Sequence, residues 1–415
     1  MAASQTGYII KKIALLFLLG ICVGLAGALF LTMIKAVTAW RESSPWLCLA
    51  LPLLCVGTVF VYQTVGKDCD KGNNLIIEGM QRDDIKIPGR MGVLAFVFTG
   101  LSHLFGASVG RVGTVVQIGG AFGTQFAALG RLDSAERRTF LYAGVSAGFG
   151  AVFGTPFAGA LFGMELCSVG ALHKKSAVAC LFTSLTANAV TGLCGVTHTH
   201  YAIGSLPRVT PRLVLAVFLA SILFGLTARF FSLLVHKIKL YYAKWIQNIY
   251  IRAVVSSFVV LLVIALFQTV KYNGLSTWMI DASFQGEVQW YDPVKKFILT
   301  VLSLGAGFQG GEATPLFDIG ASIGGCVANL MGVSPALLAA LGYVSVFGNA
   351  ANVPITTVVI GLELFGVAAL PYFVIAAIIG YYVTGHNSIY GAQTILRPKY
   401  SWRSEYSGKT MGSLH

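Results

Sequence analysis

The sequence predicts an all-α, polytopic membrane protein built from two pseudo-symmetric halves. Three observations carry that prediction. Of 415 residues, 56% are hydrophobic and only 11% are charged, against about 25% charged in a soluble domain. The apolar residues fall into long runs interrupted by glycine and proline. Two motifs of the first half also recur, in the same order, in the second.

The apolar runs cover residues 13–40, 46–66, 91–109, 113–130, 139–169, 176–196, 213–236, 251–270, 297–309, 315–347 and 353–384. Several are shorter than the roughly 20 residues a straight helix needs to cross the hydrocarbon core. With 48 glycines in the chain, tilted, broken and re-entrant helices are expected. Non-helical backbone at membrane depth is tolerated only where it lines a cavity or is buried in protein, so helix ends should converge on an internal site. Residues 1–12 read as a cytoplasmic N-terminus ending in Lys11-Lys12. The run after them has no small-residue cleavage site, so it stays as the first span. The halves are then 13–200 and 211–395, and 396–415 reads as a short cytoplasmic tail with no soluble regulatory domain.

Charge supports the same picture. The 29 Lys and Arg exceed the 16 Asp and Glu by 13, but they form short clusters between apolar runs: Lys11-Lys12, Arg131/Arg137/Arg138, Lys174-Lys175, Lys237/Lys239/Lys244 and Arg397/Lys399/Arg403. That distribution marks cytoplasmic loops and no nucleic-acid-binding face. Both termini are then cytoplasmic, and the acidic segment 272–292 is outside. The eight cysteines form no CxxC pair and read as small buried hydrophobes. His198-Thr-His200 lacks a third ligand, so no metal is assigned. No cofactor motif or nucleophile elbow is present, and no enzymatic activity is expected.

The repeat locates the chemistry. Gly110-Arg-Val-Gly-Thr114, running on to Gly120-Ala121, matches Gly310-Gly-Glu-Ala-Thr314, running on to Gly320-Ala321, at an offset of 200. Pro156 with Gly163-Met-Glu165-Leu166 matches Pro354 with Gly361-Leu-Glu363-Leu364 at an offset of 198. Internal repeats with interrupted helices are the mark of a transporter whose site lies between the halves. Each glycine-rich motif leads into an apolar helix, so backbone N–H groups and the positive helix end face whatever precedes it. Glycine packing alone would explain either motif. Paired by the repeat, they indicate an anion site. Ionisable residues inside apolar stretches are functional candidates: Arg111, Glu165, Glu312, Asp318 and Glu363. Arg111 has a structural alternative, an ion pair with Glu312 or Glu78. Glu165 and Glu363 read as helix-end residues, Glu312 is the best candidate for chemistry, and Asp318 reads as facing a water-lined wall. Lys71–Gly79 and Gly385–Tyr390 supply further polar donors, Asn73 and Tyr390 among them.

Together these residues resemble the CLC family of chloride channels and anion/proton exchangers, over essentially the whole chain. The family's GxEGP followed by a Val-Gln-Ile-Gly-Gly helix is similar to Gly110–Gly120, its GSGIP…EG loop to Gly72–Gly79, and its GGxFxP to Gly310–Pro315. Its central tyrosine resembles Tyr390, and its helix ending in paired glutamates resembles Gly154–Glu165. Asn73-Asn74 in place of Ser-Gly, Glu312 and Thr314 in the second motif, Thr114 in place of proline and Leu166 in place of an inner proton-relay glutamate resemble the bacterial fluoride/proton antiporter branch. The resemblance implies a homodimer in the lipid of the bacterial inner (plasma) membrane, with fluoride and protons as its ions. It implies an anion site of Asn73, Gly110, Arg111, Gly113, Thr114, Glu312, Thr314 and Tyr390.

One departure matters most. The family's gating, proton-carrying glutamate corresponds to Val112, which can neither bind a proton nor compete with an anion. The chain then reads as a gating-glutamate variant with proton coupling lost or impaired. Alternatively Glu312, taken as the repeat counterpart of Val112, carries the proton alone. A passive chloride or broad anion channel is the competing expectation.

Overall fold

The computed structural model describes residues 2–199 and 201–414. The first half contains α1 (Ala2–Ser43), α2 (Leu51–Val61), α3 (Asn73–Gln81), α4 (Arg90–Leu104), α5 (Val112–Leu129), α6 (Ser134–Phe153), α7 (Pro156–Leu166) and α8 (Ala177–Leu193). The second half repeats the series as α9 (Pro211–Trp245), α10 (Ile249–Phe267), α11 (Trp278–Gln285), α12 (Asp292–Ala306), α13 (Ala313–Met331), α14 (Pro335–Ala351), α15 (Pro354–Phe365) and α16 (Leu370–Thr384). Among the described residues, seven helical segments are long and apolar enough to cross a membrane. The N-terminal residues expected as a separate segment form the first turns of α1.

Glycine sets the closest packing. On α5, a Cβ at Gly119 or Gly123 would collide with the carbonyls of Gly144 and Phe140 on α6. On α13, Gly320 and Gly324 stand in the same relation to Gly342 and Leu338 on α14. Backbone meets backbone in both pairs, as is typical where small residues line helix contacts in membranes. Four glycines at one spacing show that α5 and α13 correspond at an offset of 201. The backbone agrees: Gly110 and Gly311 form a two-way antiparallel bridge, N–H to O=C at 2.5 and 2.7 Å. Arg111 and Glu312 are the equivalent cap positions of the two helices. The register of 200 suggested by letter matching is therefore off by one here. Glu312 is the counterpart of Arg111, and the counterpart of Val112 is Ala313.

The two halves are related by exchange. Glu165, at the end of α7, accepts the N–H groups of Ile355 (3.1 Å) and Thr356 (2.9 Å) and the Thr356 hydroxyl (2.7 Å) at the start of α15. Glu363, at the end of α15, accepts the N–H groups of Phe157 (3.0 Å) and Ala158 (2.7 Å) at the start of α7. Proline opens both helices and has no N–H to satisfy, so each carboxylate takes the next two donors and also meets the positive end of the dipole. Each helix is thus capped by the far end of its own counterpart, which makes α7 and α15 antiparallel and the repeats inverted. The helix-end reading of both glutamates holds, across halves rather than within one.

The C-terminal segment is not a free tail. Its strand β2 (Thr394–Ile395) pairs in parallel with β1 (Ser168–Val169) just after α7, and Ile395 and Met411 pack with Val169 in a small buried cluster. Gln393 donates to the carbonyls of Leu166 and Ala351, 2.8 Å each.

The reciprocal caps give a stability prediction. Glu165→Ala leaves enclosed N–H groups without acceptors, at about 1–3 kcal/mol each. Thermal unfolding in detergent should show a clear drop in Tm, larger than for Glu363→Ala, whose N–H partners are more exposed. Equal or unchanged midpoints would contradict the capping account.

Candidate anion site

The Gly110–Gly311 bridge brings the first turns of α5 and α13 face to face. Their unsatisfied N–H groups and positive dipole ends converge, and two like partial charges at close range are stabilised by an anion between or beside them. Space for that anion depends on Gly311. A Cβ there would press onto the amide nitrogens of Gly113 and Val112, lying 2.9 Å from the latter.

Asn73 completes this side. It is buried at the first turn of α3, and a Cβ at Gly113 would lie 2.8 Å from its Nδ2. Gln117, one turn into α5, donates its Nε2 to the Asn73 Oδ1 at 3.4 Å, which leaves the Asn73 Nδ2 turned toward the helix start. Gln117 therefore belongs to the site as the residue that orients Asn73. Its place in the Val-Gln-Ile-Gly-Gly motif was the available signal, since a glutamine in an apolar helix needs a polar partner.

Two cavities flank the bridge. One, of about 410 Å³, is lined by Asn73, Gln117, Glu312, Tyr390, Lys71, Lys239 and Arg252, among others. Tyr390 is buried in its wall, and its backbone N–H is held by the Ser388 hydroxyl at 3.0 Å. The Glu312 Oε2 is enclosed and accepts no hydrogen bond. The other cavity, of about 660 Å³, is lined by Arg111, Thr314, Tyr343, Tyr201, Lys35 and Leu275, among others. Arg111 and Glu312, equivalent in the repeat, thus face opposite cavities.

The remaining expected residues separate. The Arg111 N–H points to the Thr314 hydroxyl at 3.4 Å, so these two residues tie the helix starts together. The Arg111 side chain makes no ion pair with Glu312 or Glu78; Glu78 pairs with Lys71 at 3.2 Å. Thr114 shares its hydroxyl with Thr99 on α4 at 2.7 Å, which ties α5 to α4 and removes this hydroxyl from the anion's surroundings. Val112 is fully buried at the first turn of α5, and Leu166 is buried at the end of α7. Asp318 is also fully buried, so its expected water-lined face is not present. Among the described residues no cluster of His, Cys, Asp and Glu is suited to a metal; His200 lies outside them.

Inverted repeats, paired helix starts and a cavity on either side define a membrane transport protein for anions. Residues 59–385 match the family described as voltage gated chloride channel. The chain belongs to that family, the CLC channels and transporters, whose members move ions and are not enzymes. It is 41% identical, over 95% of its length and 88% of the relative's, to a Pseudomonas syringae protein named a chloride/fluoride channel protein. A Vibrio cholerae H(+)/Cl(-) exchange transporter is 25% identical over 68% of this chain and 61% of its own. Among solved structures, a CLC-type fluoride/proton antiporter superposes with a TM-score of 0.89 at 31% identity, covering 93% of this chain and 98% of that one. A slow cyanobacterial Cl-/H+ antiporter, at 16% identity and a TM-score of 0.79, shares the fold.

The geometry at Gly311 makes a prediction. Gly311→Ala places a methyl on the α5 amides and should abolish anion flux into liposomes and anion binding by calorimetry. Gly57→Ala, at a glycine with open space around it, serves as the control. Flux by Gly311→Ala at the unsubstituted rate would remove the amides from the pathway.

Proposed function

We propose that the chain exports fluoride across a bacterial plasma membrane, in a branch whose activity is fluoride/proton antiport, with coupling impaired by the valine at position 112. The observation that carries this reading is the Asn73 amide, oriented by Gln117 onto the start of α5. Fluoride is small and strongly hydrated, and it is held well only by hydrogen-bond donors that replace its water. The Asn73 Nδ2 and the amides of Val112 and Gly113 form such a set. The Tyr390 hydroxyl stands in the cavity wall, and Gly110, Arg111 and Thr314 set the frame. The relatives' names support fluoride as well as chloride.

Orientation follows from charge. The 410 Å³ cavity is bordered by Lys71, Lys239 and Arg252, and the positive-inside rule makes it cytoplasmic. The 660 Å³ cavity is bordered by Leu275, Thr277 and Ile280, from the segment that rule places outside. Both termini are then cytoplasmic. A homodimer embedded in lipid, with one pathway per subunit, is part of the same reading; α8 and α16 bare Val178, Leu193, Ile375 and Ile378 to their surroundings.

Val112 fills the position at which the proton-carrying glutamate of the family is expected, and a valine cannot exchange protons. Coupled proton import through that position is therefore closed to this chain. Glu312 stands on the cytoplasmic side, where its enclosed carboxyl opposes weakly held anions. That charge is also the argument against the competing chloride channel.

The test is flux from liposomes loaded with either halide. Fluoride should leave faster than chloride by about tenfold or more, a 1.4 kcal/mol difference in barrier, and Val112→Glu should raise the number of protons moved per fluoride. Chloride flux exceeding fluoride flux would favour the channel. Fluoride-driven proton pumping equal to that of Val112→Glu would overturn the impaired coupling.

A further inference from the structure

We propose that Asp318 is a proton-carrying group on the outer side of the anion site and supplies the residual proton coupling of this chain. This rests on the reading that the 660 Å³ cavity faces outward.

Asp318 is fully buried on α13, four residues after Thr314, so the two side chains share one helix face. Neither carboxyl oxygen has a hydrogen-bond partner among the described residues. Among the described residues, the one ion pair it approaches is with Lys296 of α12, at 3.9 Å. At that distance the pair is not hydrogen-bonded. Lys296 spends its three N–H bonds on the Tyr272 carbonyl (3.1 Å), the Gly274 carbonyl (2.6 Å) and the Ser276 hydroxyl (3.1 Å). A buried carboxylate without donors is costly, and breaking or weakening its pairing is strongly penalised. Such a group in a membrane protein is a functional candidate.

Its surroundings lead outward. The groups that interact with it electrostatically are Lys296, Arg111, Tyr343 of α14 and Tyr201 of the loop before α9; Asp281 of α11 acts on Tyr201 in turn. Arg111, Tyr343 and Tyr201 line the outer cavity, as does Thr314, one helical turn before Asp318 on the same face of α13. The repeat gives independent support. At the offset of 201, Asp318 is the counterpart of Gln117, which lines the inner cavity and serves the anion site from that side.

The step balances as a proton relay. A hydronium in the outer cavity gives up its proton to the Asp318 carboxylate, where an O–H bond forms and a water is left behind. That bond breaks when the proton passes to the Glu312 carboxylate, where the new O–H bond forms. From Glu312 it leaves into water of the inner cavity, while fluoride moves the other way. One positive charge enters for each proton carried, and no oxidant or reductant is needed.

The experiment measures proton and fluoride flux together in liposomes holding the full chain. Fluoride-driven proton movement should exceed that of protein-free liposomes. Asp318→Asn should lower the proton-to-fluoride ratio by about tenfold, as for loss of a positioned proton-transfer group, and Asp318→Glu should restore it. Lys296→Met with Asp318→Asn leaves no buried ammonium unpaired and should read the same low ratio if the single variant assembles poorly. An unchanged ratio in the Asn variants, or proton flux at background in the unsubstituted chain, overturns the proposal. Failure of the fluoride reading would look different: chloride flux would exceed fluoride flux, whatever stands at position 318.

Discussion

The structure depends on two backbone hydrogen bonds between Gly110 and Gly311. They hold the starts of two helices together at a place where electrostatics pushes them apart, since each start carries about half a positive charge. The contact is possible because neither residue has a side chain: a Cβ at Gly110 would meet the Pro315 ring at 2.8 Å. From this junction the rest follows. α5 and α13 leave in opposite senses, their first amides are left without intrahelical partners, and a cavity opens on each side. An anion is the ligand that turns the repulsion at such a junction into attraction.

Much of this was legible in the sequence, and the limits are instructive. The all-α membrane fold could be read because composition and apolar runs do not depend on tertiary contacts. The repeat was visible because glycine and proline are irreplaceable where backbones touch or helices begin. Its register was not, because Thr114 and Thr314 share a letter without sharing a role: one binds Thr99 and the other meets Arg111. Only the helix frame, set by the backbone bridge, separates an offset of 200 from one of 201.

The other gaps are non-local. Glu165 and Glu363 looked like residues at helix ends, and they are, but each serves the opposite half of the chain. Nothing within about ten residues of either glutamate announces a helix start almost two hundred residues away. Gln117 lay inside a quoted motif, yet its part emerges only when α3 brings Asn73 against it. The C-terminal segment looked like a solvated tail because it is polar, while a small apolar cluster around Val169, Ile395 and Met411, strand pairing and the Gln393 hydrogen bonds dock it.

The backbone is nearly symmetric and the charges are not. At equivalent positions stand Arg111 and Glu312, one beside each cavity, so an anion moving from the Glu312 cavity to the Arg111 cavity leaves a carboxylate behind and approaches a cation. Val112 and Ala313 are equivalent and neither carries charge, so the junction itself is neutral apart from its helix ends. Gln117 and Asp318 are equivalent, one donating to Asn73 and the other buried without a hydrogen bond among the described residues. The inverted repeat therefore supplies the same cradle to both faces of the membrane, and side-chain substitutions on that common frame make the faces unequal. The helix-start amides are common to both halves, and the two faces differ at the few positions at which the halves disagree.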